Sequence, residues 1–444
     1  MLSLWTLLVS IIGIAALAQG KSSTGDSILV VLEPSLKRDN FSIFFNGLED
    51  RGYDLTFRAP KDVKPEVIED DRAQFSHVIL FAPETKTFSQ DITPQSLVSL
   101  LSLNTNLLLA LSPKQTMLTS LAPEFSLIPP PPGTPLLSHF PARDTPATVI
   151  PVPVTSTSPL LTPSLPPVWF SGVPFALSNN PLLVPILNAP AESFAADSDS
   201  NAGADAVLDA AEKGGEGLWA GSQLALVVGF QALHGARATW AGGVDLFSDE
   251  FAKKELPSGG KSGNEPFAAD VAAWTFQESL VLRIDSVAHH RVNETVPGET
   301  YTTNDNVVFS AHISRFDPRT STWEPFSGIK DLQLEFTMLD PHIRTALLPV
   351  SSEPGKYSVT FRVPDRHGVF KFVVDYKRKG WTHLHSATVV PVVPPRHDGY
   401  PRFLSSAWPY YAGAMSTSIG FFIFSVLWLA GDNQELKKKT TKGE

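Results

Sequence analysis

The chain has 444 residues, a hydrophobic content of 43%, a charged content of 18% and a formal net charge of −10. This composition excludes a disordered chain, a polytopic membrane protein and a polyanion-binding protein, so we expect no nucleic acid among its partners. Cysteine is absent, which excludes a thiol nucleophile, a zinc–thiolate site and disulfide bonds.

The apolar N-terminus predicts a secretory signal peptide. Residues 2–18 are almost wholly apolar, and Ala16-Leu17-Ala18 places small residues at the spacing of a cleavage site. We therefore predict that residues 1–18 are removed and that residue 19 begins the mature chain. No Lys or Arg precedes the apolar run, so an uncleaved anchor remains the alternative.

Residues 19–278 predict a lumenal α/β region. Short apolar runs bounded by turn residues predict buried strands at residues 27–32, 53–57, 77–81 and 107–111. Helical spacing of apolar residues after Asp39, and the Thr93-Pro94 and Ser112-Pro113 pairs, predict helices between and after these strands. This alternation indicates a doubly wound α/β fold.

A proline-rich insertion at residues 123–190 interrupts the alternation, because it contains 18 of the chain's 38 prolines. Such a segment is unsuited to central strands or helices, so we predict only edge strands within 148–154 and at 168–170. Strands at 223–230 and 237–240 and a helix at 267–276 then complete the α/β layer.

Residues 279–395 change to a period of two. Apolar and polar residues alternate around positions 307–313, 332–338, 357–363 and 370–376, which predicts an antiparallel, sandwich-like β domain. The prolines at residues 391, 394 and 395 favour an extended stalk over residues 389–395, followed by a juxtamembrane segment at 396–409.

Residues 410–430 predict a transmembrane helix, since these 21 residues carry no charge and have aromatic residues at both edges. Lysines in the tail, residues 431–444, predict a cytosolic C-terminus and a single-pass type I protein. Ala412, Ser416 and Gly420 recur at steps of four, so we predict a face for helix packing, with ordinary helix composition as the alternative.

Motifs for catalysis are missing from the sequence. The first strand is followed by Glu33-Pro34-Ser35 instead of a glycine-rich phosphate loop, and no G-x-S-x-G motif is present. We interpret Asp197-Ser198-Asp199 as a solvated acidic loop, and His289, His290, His383 and His385 as surface or packing histidines. The sequence therefore predicts no catalytic, cofactor or metal site, and two candidate N-glycosylation sites, Asn293 and Asn40.

Six collinear segments carry a family resemblance: residues 44–57 (FFNGLEDRGYDLTF), 229–251 (GFQALHGARATWAGGVDLFSDEF), 289–292 (HHRV), 333–345 (QLEFTMLDPHIRT), 355–388 and 400–429. Over these segments the chain resembles the 48-kilodalton subunit family of the oligosaccharyltransferase complex. The resemblance implies a glutamine-amidotransferase-like α/β fold, a β-rich domain and one membrane span, in an endoplasmic reticulum protein with its bulk in the lumen.

The resemblance also implies a function and partners. It implies a non-catalytic assembly subunit of the enzyme that transfers a dolichol-linked oligosaccharide to asparagine. The implied neighbours are a polytopic catalytic subunit, a ribophorin-type subunit, a small membrane subunit and membrane lipid. Two alternatives remain open: an independent lumenal glycosidase or hydrolase, and a lumenal glycan- or peptide-binding module.

Overall fold

The structure, a computed structural model, describes residues 22–140, 146–154, 158–196, 219–399 and 402–440, and describes side chains no further than residue 430. The predicted signal peptide and the Asp197-Ser198-Asp199 motif therefore lie outside the described residues. Helices, and strands of four or more residues, are numbered below in chain order.

A seven-stranded sheet forms the N-terminal region. Its strands are β1 (Ser27–Leu32), β2 (Asp54–Arg58), β3 (His77–Phe81), β4 (Asn106–Ala110), β5 (Leu183–Asn188), β6 (Ala225–Gln231) and β7 (Arg237–Ala241). The spatial order is β5-β6-β7-β4-β3-β1-β2. The five strands from β7 to β2 are parallel, and β5 and β6 are antiparallel additions. Strands β3, β4 and β7 are buried along their whole length, as expected where both sheet faces are covered.

The described residues of this region form five helices: α1 (Ser42–Glu49), α2 (Pro94–Ser102), α3 (Met117–Leu121), α4 (Asp249–Lys253) and α5 (Asn264–Thr275). Apolar residues of α1 and α5 share one core with alternate residues of β1 and β3. Those of α2 and α3 share the opposite core with the intervening residues. The predicted doubly wound α/β arrangement is therefore confirmed.

Two predicted helix starts are wrong. Asp39 does not cap a helix but lies within the 3-10 turn Arg38–Phe41 that precedes α1. The helix expected at Ser112-Pro113 begins instead at Met117, because the Thr116 hydroxyl accepts the Thr119 N–H and forms a capping box. The predicted cap at Thr93 is confirmed, with its side chain accepting the Ser96 N–H.

The proline-rich insertion forms short strands along the sheet. The predicted edge strands are confirmed as an antiparallel ribbon of Ile150–Val152 with Val168–Phe170. Sequence analysis missed β5, which contains Pro185 and tolerates it because β5 is the edge of the main sheet. Three further two-residue ribbons join Ile68–Glu69 to Arg72–Ala73, Leu127–Ile128 to Ala176–Leu177, and Leu136–Leu137 to Phe194–Ala195.

Two five-stranded sheets form the predicted β-sandwich, and their strands pair antiparallel except for the two-residue strand Tyr301–Thr302, which pairs in parallel. Its main strands are β8 (Leu282–Arg291), β9 (Asn306–Asp317), β10 (Thr322–Pro325), β11 (Gln333–Thr337), β12 (Pro341–Ala346), β13 (Lys356–Arg362), β14 (Gly368–Tyr376) and β15 (Leu384–Val393). One sheet joins β8, β9, β10 and β13, and the other joins β15, β14, β11 and β12, each with a two-residue strand. The predicted stalk is wrong over residues 389–393, since Val390 and Val392 are buried in the sandwich as part of β15.

A single long helix, α6 (Trp408–Thr440), ends the described chain. Its 33 residues correspond to about 50 Å of helix. Within it and the preceding turn, Ser405–Ala430 is the one described stretch long and apolar enough to cross a membrane, and none of its residues is buried. The predicted span at residues 410–430 falls inside this helix.

Candidate functional site

A crevice lies at the carboxyl edge of the parallel strands, where α/β folds commonly bind ligands. It occupies about 1010 Å³, and its walls include Ser35 after β1, Glu84 after β3, Ser112 after β4 and Asp245 after β7. Since β2 and β3 flank β1 on opposite sides, the crevice lies beside the point where the strand order reverses. This location makes it the first candidate site in the α/β region.

Carboxylates surround the mouth of this crevice. The Glu33 carboxylate accepts the Glu84 N–H at 3.1 Å, and Glu84 pairs with the Lys114 ammonium at 2.7 Å. Desolvation, and secondarily the charge of Glu250, raises the pKa of Asp245 although its side chain reaches solvent. Such a cluster of negative charge is unfavourable for a phosphate group. The charged residues that line the crevice, Glu84 and Asp245, are both acidic, and Lys114 offsets the charge of Glu84.

The proline-rich insertion closes one wall of the crevice through main-chain contacts. The Val173 N–H donates to the Gly242 carbonyl at 2.8 Å. A Cβ atom added at Gly242 would lie 2.0 Å from the Val173 oxygen, and one at Gly243 would lie 1.8 Å from the Ser171 oxygen. Both positions therefore require glycine so that the insertion can approach the end of β7.

A buried arginine joins the α/β region to the β-sandwich. Arg237, at the start of β7, is fully buried. Its Nη1 donates to the carbonyls of Trp274 at 2.7 Å and Ser279 at 2.8 Å, and its Nη2 to the Leu280 carbonyl at 3.0 Å and the Thr382 hydroxyl at 3.3 Å. Burial lowers the pKa of Arg237 to about 9, which still leaves the guanidinium charged at neutral pH.

The same junction holds the largest aromatic ring of α5. Trp274 lies under the Arg237 guanidinium, 4.9 Å from the ring centroid, and its indole N–H donates to the Gly380 carbonyl at 2.8 Å. Gly380 and Thr382 belong to the turn between β14 and β15. We call Arg237, Trp274, Leu280, Gly380 and Thr382 the interdomain junction. Sequence analysis missed it, because a positively charged residue in a strand gives no indication of burial.

Beside the junction lies a cleft of about 670 Å³, bordered by the end of β6 and the β14–β15 turn. Gln231 lines this cleft and is 6% exposed, yet neither amide atom of its side chain has a hydrogen-bond partner. Lys377, Lys379 and His383 line the opposite side. The cleft thus combines an unpaired amide with positively charged groups.

His383 and His385 approach a common carboxylate next to this cleft. Asp375 on β14 is directly opposite His385 on β15 in the antiparallel register. Its Oδ1 lies 2.5 Å from His383 Nε2 and 3.9 Å from His385 Nδ1. We call Asp375, His383 and His385 the histidine cluster. Sequence analysis interpreted the two histidines as surface or packing residues and did not identify the carboxylate, which the hairpin register supplies.

In the other histidine pair, His289 packs into the sandwich, whereas His290 contacts the carbonyl of the adjacent Arg291. His289 Nδ1 lies 2.7 Å from the Tyr301 hydroxyl, and the His289 ring stacks on Phe372 with 5.0 Å between centroids. Burial, and secondarily the neighbouring His290, lowers the pKa of His289. Its contacts are those of a packing histidine, as the sequence predicted.

Both candidate glycosylation sites are exposed. Asn40 lies in the 3-10 turn before α1, and Asn293 lies in the turn after β8. The hydroxyl of Ser42, which completes the first sequon, donates to the Asp249 carboxylate at 2.5 Å. This engagement favours Asn293 as the more accessible acceptor in the folded protein.

The predicted packing face lies along the exposed helix α6. Ala412 is half-buried, whereas Ser416 and Gly420 are exposed, and a Cβ atom added at Gly420 would meet nothing within 4 Å. The Ser416 hydroxyl donates to the Gly413 carbonyl of its own helix at 2.9 Å. Space at this face is therefore open for another helix.

Family models and curated relatives match nearly the whole chain. The model described as OST48, N-terminal domain, matches residues 19–278, and the model of the OST48 middle domain matches residues 289–432. Three relatives carry the name dolichyl-diphosphooligosaccharide–protein glycosyltransferase 48 kDa subunit. The zebrafish (Danio rerio) protein is 34% identical and covers 94% of this chain and 95% of its own. The Caenorhabditis elegans protein is 32% identical, with 92% of each chain covered, and the Arabidopsis thaliana protein is 30% identical, with 91% and 93% covered.

Solved structures resemble the chain only distantly. An mmIFT52 N-terminal domain aligns with 56% of this chain and 96% of its own length, at a TM-score of 0.40 and 11% sequence identity.

Proposed function

Since this chain belongs to the OST48 family, we propose that it is a non-catalytic, membrane-anchored subunit of a dolichyl-diphosphooligosaccharide–protein glycosyltransferase complex. The observation that carries this proposal is the match to both family domains, which extends through α6 to residue 432. In this role the chain would support transfer of a dolichol-linked oligosaccharide to Asn in Asn-x-Ser/Thr without contributing groups to the reaction.

The use of buried polar groups supports a structural role. The Asp249 carboxylate accepts the Ile43 N–H at 2.9 Å at the start of α1, and Arg58 pairs with Asp91 at 2.7 Å. Arg237 donates only to main-chain carbonyls and one hydroxyl at the interdomain junction. These groups hold loops and domains in place, and most of their polar atoms are used in doing so, although Nε of Arg58 and of Arg237 has no partner.

We propose the same organisation in the membrane that the sequence predicts. The signal peptide, residues 1–18, is removed, residues 19–409 lie in the lumen of the endoplasmic reticulum, and residues 431–444 lie in the cytosol. The lysines after residue 430 favour this orientation. The helical stretch Ser405–Ala430, about 39 Å long, exceeds the hydrocarbon thickness of roughly 30 Å.

The proposed partners are a polytopic catalytic subunit, a ribophorin-type subunit and a small membrane subunit. The face of half-buried Ala412 and exposed Ser416 and Gly420 supports contacts with the membrane helices of such partners. The α/β region supports the finer proposal of a glutamine-amidotransferase-like fold through its parallel strands and the strand-order reversal at β1.

Depletion and rescue in cells tests the proposal. The endogenous chain is depleted, and rescue is attempted with wild type, a crevice variant (Glu84→Gln with Asp245→Asn) and a loop variant (Asp197→Asn with Asp199→Asn). Glycosylation of a reporter sequon and the native size of the tagged chain are measured together. We expect depletion to reduce transfer, and all three versions to restore it within a complex containing the other subunits.

Two outcomes would contradict the proposal. Loss of transfer in either carboxylate variant, with the complex intact and normally abundant, would indicate that the chain takes part in the chemistry. Recovery of the tagged chain without other transferase subunits would favour an independent hydrolase or a glycan- or peptide-binding module instead.

A further inference from the structure

The histidine cluster has the composition of a metal site on a rigid scaffold. Asp375 and His385 are paired residues of the β14–β15 hairpin, and His383 is two residues before His385 on the same sheet face. One ligand atom from each residue lies within 4.8 Å of the other two. Strand pairing fixes Asp375 and His385, whereas His383 lies in the turn just before β15 and is held by its contacts with Asp375 and the Leu233 carbonyl.

The hydrogen bonds around His383 leave one nitrogen facing a carboxylate. When the ring is neutral with its proton on Nδ1, that N–H faces the Leu233 carbonyl, an acceptor only, at 3.4 Å. Nε2 then presents a lone pair to Asp375 Oδ1 at 2.5 Å. Two electron-rich atoms at that separation require a cation between or beside them, which is either a proton or a metal ion.

The outer contacts resemble those that orient metal ligands. Ligating histidines usually donate their second ring nitrogen to a carbonyl or carboxylate, as His383 does towards Leu233. The second oxygen of Asp375 is held at 3.0 Å by the Lys377 ammonium, which leaves Oδ1 directed at the histidines.

We propose that Asp375, His383 and His385 bind a divalent cation of the zinc class, with water completing the coordination. Two imidazoles and one carboxylate suit Zn²⁺, whereas Ca²⁺ and Mg²⁺ prefer sets of oxygen ligands. Tetrahedral zinc with bonds of about 2.0–2.1 Å separates its ligand atoms by about 3.3 Å. The observed separations of 2.5 and 3.9 Å from Oδ1 bracket this value.

His385 can move closer to Asp375 to complete the coordination, because its side chain is exposed. Its side chain is 57% exposed, so it can rotate towards the ion without disturbing the core, while His383, at 12%, stays fixed against the α/β region. Since Leu233 belongs to the β6–β7 turn and His383 to the sandwich, an ion at the cluster would also stiffen the contact between the two domains.

Zinc binding by the full-length chain, purified in detergent and stripped with a chelator, tests the site. Affinity and stoichiometry are measured by competition with a chromophoric chelator, and Co²⁺ absorption reports the coordination geometry. We expect one Zn²⁺ per wild-type chain, at least about tenfold weaker binding in His385→Ala and Asp375→Asn, and unchanged binding in the control His367→Ala, which removes an exposed histidine just before β14.

A second readout separates the site from general folding defects. Zn²⁺ should raise the thermal unfolding temperature of wild type and His367→Ala but not that of His385→Ala, whose metal-free unfolding temperature should equal that of wild type because the residue is exposed. Absence of saturable binding in wild type, or equal affinities in all four proteins, would overturn the proposal. Assembly of the complex is not required for either measurement, so the result is independent of the proposed subunit role.

Discussion

Replacing Arg237 with methionine should weaken the interdomain junction without changing its shape. The methionine keeps an apolar stem beside Trp274 but removes the donors to the carbonyls of Trp274, Ser279 and Leu280. An acceptor left unpaired in a buried site costs about 1–3 kcal/mol. The Trp274 and Leu280 carbonyls keep main-chain donors, from Gln277 at 3.1 Å and Thr382 at 3.2 Å, so the Ser279 carbonyl is the acceptor that loses its partner. We therefore expect a loss of about 2 kcal/mol in the free energy of unfolding.

The loss can be measured as a lower urea midpoint in pulse proteolysis of the full-length chain. Arg283→Met is the matched control, since Arg283 stacks over Trp323 at 4.1 Å on the sandwich surface and its side chain is half-exposed. That change should cost less than about 1 kcal/mol. If Arg237→Met were neutral or stabilising, desolvation of the guanidinium would outweigh its hydrogen bonds, and the assigned role of Arg237 would be refuted.

Three further predictions concern pH, glycosylation and the membrane helix. Burial lowers the pKa of His77 to about 4. The unfolded chain therefore binds a proton more readily, and the free energy of unfolding falls by up to about 3 kcal/mol as the pH decreases from about 6.5 towards 4. His77→Gln should flatten the dependence of the urea midpoint on pH. A pH dependence of the urea midpoint in His77→Gln equal to that of wild type would contradict this prediction. Asn293→Gln should shift the chain's mobility on a denaturing gel as glycosidase digestion does, whereas an equal or larger shift from Asn40→Gln alone would reverse the preferred acceptor. Gly420→Leu should reduce the recovery of partner subunits with the tagged chain, because the leucine side chain would occupy the open space beside α6 that a neighbouring helix needs for close approach. Recovery equal to that of wild type would show that this face is not used.

The sequence predicted most of the main sheet because its strands are buried on both faces. Short, continuous apolar runs bounded by turn residues, such as HVILF at β3, predict strands that are buried on both faces. Strand β5 was not predicted because Pro185 argues against a strand. The proline is tolerated because β5 lies at the edge of the sheet. The wrong helix start at Ser112 has a similar origin. Ser112 and Thr116 are both suitable N-caps, and the helix that starts after Thr116 is the one that places Leu118 in the core.

The candidate sites were less predictable because they depend on register and contacts between domains. His383 and His385 share a face by alternation alone, but Asp375 joins them only through pairing with a strand eight residues away. Arg237 looks like an ordinary strand residue until the β14–β15 turn and the end of α5 close over it. Such contacts are set by tertiary packing, which local patterns of hydrophobicity do not encode.

Recognition by the membrane helix must rest on shape more than on polar contacts. The hydroxyls of Ser416, Thr417, Ser418 and Ser425 all donate to carbonyls three or four residues earlier in α6, so they are satisfied without a partner. Lipid supplies no hydrophobic drive between helices, which leaves close van der Waals contact as the main source of association. Close contact needs a surface without protruding side chains, and Gly420 provides one. Ser416→Ala should therefore leave assembly intact where Gly420→Leu disturbs it, and the opposite order would mean that a hydroxyl, and not the space at Gly420, binds the neighbouring helix.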